Sequence, residues 1–346
     1  MAFRIGFTRD FLKPDGSIGV GDIGLDLLEG RTDVEWEFLP ENNRVLTADE
    51  LRPYDALAML GPRLTADSLD GNDRLAIVAR YGVGYDTVDV PACTAHGIAL
   101  TITPEGVRRA LATTAITFIL ALSHRMVEQD RATRAGEGWT RKLDLIGAGL
   151  QGRKLGLIGI GNVGSEVAKL AAPFGLDIMA VDPYATPARA AAINATLVDL
   201  DTLLMQADYV VILCALTDET RGMIDASKLT LMKKTAFLIN IARGPIVDQK
   251  ALYEALVAGQ IRGAALDVFE QEPADPDEPL FKLDNVIVTP HAMCWTDEWA
   301  HITGQSAVGG ILAVAAGEAP GYVVNNEVLD SPAFIAKLAR YAEGSQ

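Results

Sequence analysis

Short apolar runs rich in β-branched residues alternate along this chain with polar or helix-like stretches. In the first hundred residues the runs are Phe3–Thr8, Val34–Phe38, Ala56–Leu60, Leu75–Ala79 and Ile98–Ile102. Strands separated by helix-length segments predict a parallel, doubly wound sheet. Thr103-Pro104 breaks the series, and Val107–Leu122 predicts one long, largely apolar helix. A polar stretch, Gly136–Gly152, leads into a second series with strands at Lys154–Gly159, Asp177–Val181, Tyr209–Leu213, Thr235–Asn240, Gly263–Leu266 and Val286–Val288. Helices are predicted at Val163–Phe174, Asp199–Met205, Asp225–Leu229 and Asp248–Ala258, several opened by an aspartate suited to an N-cap. Asp297–Ala316 predicts a last long helix, and Val323–Val328 lies in the tail. The pattern is that of an α/β protein with two doubly wound layers.

Composition narrows the reading. A chain of 346 residues with 49% apolar and 22% charged side chains has material for two cores and excludes disorder or a disulfide scaffold. A net charge of −16 repels phosphate backbones and anionic lipid, so no nucleic-acid or membrane partner is expected. Cys93, Cys214 and Cys294 form no CxxC pair, consistent with a reducing compartment. The N-terminal segment carries Arg4, Arg9 and Asp10 and lacks a secretory apolar core. A cytoplasmic location is expected.

The most specific local signal follows the run Lys154–Ile158. Gly159-Ile160-Gly161-Asn162-Val163-Gly164 is a GxGxxG loop opening an Ala-rich helix. The first glycine permits the tight turn, the second lets a pyrophosphate approach the backbone, and the third lets helix and strand pack closely. Free N–H groups at the helix start then face the phosphate charge. Asp182 ends the next predicted strand, where a carboxylate accepts ribose hydroxyls and repels a 2′-phosphate. No Arg or Lys occurs in Asp182–Ala185, so NAD is expected rather than NADP. The bland alternative is a Gly-rich turn in a Rossmann-like domain that binds something else.

Three further clusters fall at predicted C-terminal strand ends, where such sheets bind ligands. They are Asn240–Gly244, Ala265–Pro273 and Thr289–His291, offering the guanidinium of Arg243, the carboxylate of Glu272 and the imidazole of His291. Arg clamps a carboxylate, His moves a proton near neutral pH, and an adjacent carboxylate orients the imidazole and favours its charged form. No histidine pair has metal-ligand spacing and no GxSxG elbow exists, so no metal is expected.

Together the motifs RYGVGYDTVDV (Arg80–Val90), LGLIGIGNVG, VDPY, LTDETRGMI, INIARGPIVD, ALDVFEQEP, VTPH and YVVNNEVL resemble those of the D-isomer-specific 2-hydroxyacid dehydrogenases across nearly the whole chain. The resemblance implies two domains: a flavodoxin-like substrate domain built from residues 1–103, with residues 296–346 returning to it, and an inserted NAD-binding Rossmann domain, 104–295. It places Arg243, Glu272 and His291 on the family's catalytic Arg, Glu and His. Asp267 falls on the acid facing the nicotinamide carboxamide, and Val83 and Gly84 on the turn whose N–H groups hold the substrate carboxylate. Cys214, Ala215, Ile241 and Ala242 fall beside the cofactor, with Gly159, Gly161, Asn162, Val163, Gly164 and Asp182. It also implies a homodimer, to which the Val107–Leu122 helix is a candidate contributor.

The chain departs from the family pattern in three places. Leu213-Cys214-Ala215 replaces a His-x-Pro, Thr113 replaces a Glu of the long helix, and Ala292–Thr296 replaces a Gly-containing turn. The expected reaction is reversible reduction of a small 2-oxo acid to a D-2-hydroxy acid by NADH, with closure hinged near Pro104 and Trp295. Two rivals share the motifs: a silent NAD-sensing scaffold of the corepressor kind, and a formate dehydrogenase, which typically carries Gln where this chain has Glu272. Phosphoglycerate dehydrogenases usually place an Arg after the third strand, where Leu60 and Gly61 stand here. A non-phosphorylated substrate is therefore expected, with Arg63 the nearest alternative cation and Trp295 a candidate pocket wall.

Overall fold

The computed structural model describes residues 2–344. It divides into two compact units, Met1–Val107 with Trp295–Gln346, and Arg108–Cys294. The first unit holds five strands: β1 (Phe3–Phe7), β2 (Val34–Phe38), β3 (Ala56–Met59), β4 (Ile77–Arg80) and β5 (Ala99–Thr101). All pair in parallel in the order β2-β1-β3-β4-β5, the flavodoxin-like arrangement. Residues of β3 and β4 are almost wholly buried, as a sheet covered on both faces requires.

The second unit holds β6 (Lys154–Ile158), β7 (Asp177–Val181), β8 (Ala195–Leu197), β9 (Tyr209–Ile212), β10 (Phe237–Asn240), β11 (Gly263–Leu266) and β12 (Val286–Val288). Its parallel order is β12-β11-β10-β9-β6-β7-β8. The order reverses between β6 and β9, which creates the crevice where a Rossmann sheet binds its ligand. Two apolar layers cover the sheet. One includes Phe118, Ile119, Val167 and Val211, the other Leu203, Ile212, Leu252 and Leu266.

Capping aspartates stand where the pattern puts them. Asp199, Asp225 and Asp248 each accept the backbone N–H three residues on, at 2.8, 2.9 and 2.8 Å, and so satisfy one of the unpaired donors of a first turn. The long helix Pro104–Ser123 has the length and hydropathy of a membrane span, yet Ala112, Ala115, Phe118, Ile119 and Leu122 are buried in the core. Several elements escape the periodicity, short helices such as Val90–Ala95 and Pro187–Ala192 among them. Strand β8 is a short edge strand, helix Met126–Arg134 precedes the polar stretch, and helix Pro332–Gly344 follows Val323, which bridges Thr101.

Candidate active site

The glycine loop between β6 and helix Asn162–Ala171 shows a separate physical demand at each glycine. Gly159 has φ +98°, a backbone region that L side chains avoid. A Cβ on Gly164 would lie 2.2 Å from the Gly159 carbonyl oxygen, so only glycine lets the helix sit this close to the strand. A Cβ on Gly161 would meet nothing within 4 Å: the backbone here faces open space, as a pyrophosphate cradle requires. Gly161 also supplies no side-chain cap to the helix start. At the end of β7, Asp182 accepts Ile160 N through Oδ2 and Tyr184 N through Oδ1, both at 2.9 Å. These bonds fix the carboxylate beside the loop and leave each oxygen a further lone pair. The residues present thus fit a dinucleotide.

Arg243, Glu272 and His291 follow β10, β11 and β12, three neighbouring strands whose ends are level: Asn240 pairs with Leu266, and Leu266 with Val288. The loop after β10 is built by Asn240, a buried side chain that accepts Ala242 N (3.1 Å) and donates to the Arg243 carbonyl (2.9 Å). Arg243 itself donates Nη1 to the Ala242 carbonyl at 2.7 Å. Gly244 then passes so close to β11's end that a Cβ would lie 1.9 Å from the Phe269 carbonyl.

Glu272 Oε1 accepts Phe269 N at 3.0 Å, and Oε2 accepts Nδ1 of His291 at 2.7 Å. Burial pushes the Glu272 carboxyl up, but the hydrogen bond and charge of His291, the Phe269 N–H and the Arg243 charge outweigh it and hold the group below its ordinary value. An ionised carboxylate only accepts, so Nδ1 carries the proton and the ring's other nitrogen, Nε2, is not engaged by Glu272.

His291 adopts φ +55°, a region His tolerates better than most residues. The turn sends Ala292 N and Met293 N back to Asp267 Oδ1 at 3.2 and 3.3 Å, and the Thr289 hydroxyl donates to the same oxygen at 2.6 Å. Asp267 is buried, and that burial raises its carboxyl above the ordinary value despite these donors and the His291 charge. It braces the segment carrying His291, a duty that spacing alone does not reveal. Thr289 is likewise invisible as a partner of Asp267 until the ends of β11 and β12 are brought together, whereas the bonds of Asn240 and of the Phe269 N–H stay within their own loops.

The remaining expected positions fall as follows. Cys214 and Ala215 follow β9, where Cys214 N stands 3.0 Å from a Cβ built on Gly159. Burial pushes the Cys214 thiol up to about 11. Ile241 is buried and Ala242 half-buried, while Asn162 is exposed and Val163 half-buried at the helix start. Thr113 is exposed and returns its hydroxyl to the Arg109 carbonyl at 2.8 Å. Val83 and Gly84 are half-buried in the turn after β4, in the first unit. In that unit too, Trp295 stacks on the buried Trp299, with ring centroids 5.4 Å apart.

Comparison with known proteins places the chain in a family. The profile of the D-isomer specific 2-hydroxyacid dehydrogenase, NAD binding domain, matches residues 116–292. A glyoxylate reductase of Thermococcus onnurineus is 38% identical over 315 residues, 89% of this chain and 94% of that protein. One of Thermococcus gammatolerans is 40% identical over 314 residues, 88% and 93% of the respective chains. Among solved structures, D-lactate dehydrogenase from Aquifex aeolicus, complexed with NAD and lactic acid, superposes with a TM-score of 0.80 at 26% identity, covering 93% of this chain and 99% of the other. The chain belongs to the D-isomer-specific 2-hydroxyacid dehydrogenase family. It is an NAD-dependent oxidoreductase.

Proposed function

We propose that this enzyme reduces a small, non-phosphorylated 2-oxo acid to the D-2-hydroxy acid. The observation that carries the reading is the 2.7 Å bond between His291 Nδ1 and Glu272 Oε2, level with Arg243 on adjoining strand ends. In this reading Gly159–Gly164 hold the pyrophosphate, Asp182 the ribose, and Cys214, Ala215, Ile241, Ala242 and Asp267 the nicotinamide side. Bound NADH supplies the hydride. Arg243 binds the substrate carboxylate and polarises the carbonyl, and the Val83-Gly84 turn contributes backbone N–H groups to the same carboxylate. His291 gives the Nε2 proton to the oxygen as it becomes an alkoxide, and Glu272 holds Nδ1 and aims the ring. The glyoxylate reductases among the relatives favour a short substrate tail.

The test is NADH oxidation with glyoxylate, hydroxypyruvate and 3-phosphohydroxypyruvate, beside NAD reduction with formate. Turnover is expected with the first two. Tight NADH binding without turnover of any 2-oxo acid supports the scaffold rival instead, and formate-driven reduction supports the other.

Two variants probe the assigned roles. Asp182→Ala removes the ribose acceptor and the repelling charge together, so NADH binding should weaken by about ten- to a hundredfold, with NADPH affected far less. Fluorescence titration of both cofactors measures it. Glu272→Gln keeps the shape of the group that holds His291 Nδ1 and removes its charge, so kcat/KM for 2-oxo acid reduction should fall by about tenfold or more. Steady-state kinetics measures it, and a native kcat/KM removes Glu272 from the partner role.

We further propose a cytoplasmic homodimer. The Pro104–Ser123 helix spends its apolar face inside the chain. The exposed apolar side chains lie instead on the segment after it, at Trp139, Leu143 and Ile146, which are 79%, 74% and 67% exposed. That is the kind of patch a second copy covers, and a monomeric mass by light scattering excludes it.

A further inference from the structure

The C-terminal ends of β1, β3 and β4 carry a charged constellation that none of the assigned roles uses. Thr8, just past β1, accepts Leu60 N through its hydroxyl at 3.1 Å and donates that hydroxyl to Asp10 Oδ1 at 2.6 Å. The carboxylate is thereby drawn over the residues that follow β3. A Cβ built on Gly61 would lie 2.9 Å from Asp10 Oδ2, so Asp10 fills the space a side chain at position 61 would take. Gly61 is exposed, which leaves this notch accessible, whereas Leu60 beside it is buried.

A cation stands opposite. Arg80 ends β4, pairing with Met59 of β3, and its guanidinium folds back so that Nη1 lies 2.0 Å from where a Cβ on Gly82 would be. Burial raises the Asp10 carboxyl above its ordinary value, while Thr8, the Gly61 N–H and the Arg80 charge oppose that rise. Adjacent strand ends are separated by only about 4.8 Å. The notch over Gly61 and the Val83-Gly84 turn thus follow the ends of two adjacent strands, β3 and β4.

We propose that Asp10 sets tail specificity, accepting a hydrogen bond from a hydroxyl on C3 and rejecting an anionic tail by charge. This rests on the reading of the Val83-Gly84 turn as the carboxylate holder. It also deepens the expectation of a non-phosphorylated substrate. The position after β3 does not merely lack a cation; a carboxylate occupies it and offsets Arg80. A dicarboxylic or phosphorylated 2-oxo acid would bring a second anion against Asp10, and like charges in a partly dehydrated notch repel strongly.

Asp10→Asn keeps the shape and removes the charge that repels an anionic tail. The expected result is a rise of about tenfold or more in the kcat/KM ratio of oxaloacetate to glyoxylate, carried by KM rather than kcat. Asp10→Ala, which also removes the acceptor, should lower the ratio of hydroxypyruvate to glyoxylate as well. Unfolding midpoints within a few degrees of the native enzyme establish that both variants are folded. If native and variant enzymes turn over glyoxylate with the same oxaloacetate ratio, the inference falls and the reductase reading stands. If the native enzyme turns over no 2-oxo acid, both fall.

Discussion

Replacing His291 with Asn should lower kcat for glyoxylate reduction by about 10²- to 10⁴-fold, the usual worth of a positioned general acid. NADH affinity should stay within about twofold, because the imidazole enters this mechanism only at the proton transfer. Asn suits the test for a backbone reason. His291 sits at φ +55°, and Asn adopts that region about as readily, so the amides of Ala292 and Met293 should still reach Asp267. Loss of rate then reports the missing proton donor rather than a displaced turn. Steady-state kinetics with glyoxylate, beside fluorescence titration with NADH, separates the two quantities. A kcat within a few-fold of native removes His291 from the proton-donor role.

Gly244→Ala should damage stability and activity together, although Ala is normally the safest replacement. The added methyl would lie 1.9 Å from the carbonyl carbon and oxygen of Phe269 and 2.5 Å from Glu270 N. These are backbone atoms at the end of β11, and they cannot swing aside as a side chain can. Overpacking of this kind costs about 2–3 kcal/mol, equivalent to a fall of about 5–10 °C in Tm for a unit of this size. The displacement falls where it does most harm. Arg243 precedes the glycine, and Phe269 N is the donor that holds Glu272 Oε1. A shift of about 1 Å in such positioning groups costs about a hundredfold in kcat/KM. A variant with native Tm and native kcat/KM shows that the two strand ends do not approach so closely.

Both predictions join features of very different legibility. Helix starts at Asp199, Asp225 and Asp248, the strands of both sheets apart from β8, and the glycine loop are all local properties. Each shows as a pattern in a few consecutive residues, the caps as hydrogen bonds within one turn and the strands as short β-branched apolar runs. The same holds for Gly159 at φ +98°. Arg243, Glu272 and His291 were legible as chemistry at strand ends, and the family's motifs gave them roles. Strand β8 escaped because an edge strand of three residues with exposed Thr196 and Leu197 has too little pattern to register.

By itself, then, the sequence determined most of the elements, the α/β class, the dinucleotide loop and the candidate acid, base and clamp. Tertiary structure alone decided which of these meet. The order β12-β11-β10 sets three distant loops side by side, so that Glu272 reaches His291 and buried Asp267 braces the turn that carries it. It decided that Asp10 rather than a side chain at position 61 fills the notch past β3. The reason is physical. Hydrophobic period specifies which face of a strand is buried, but lateral order and register come from packing between segments far apart in the chain, and close approaches exist only once those segments are packed.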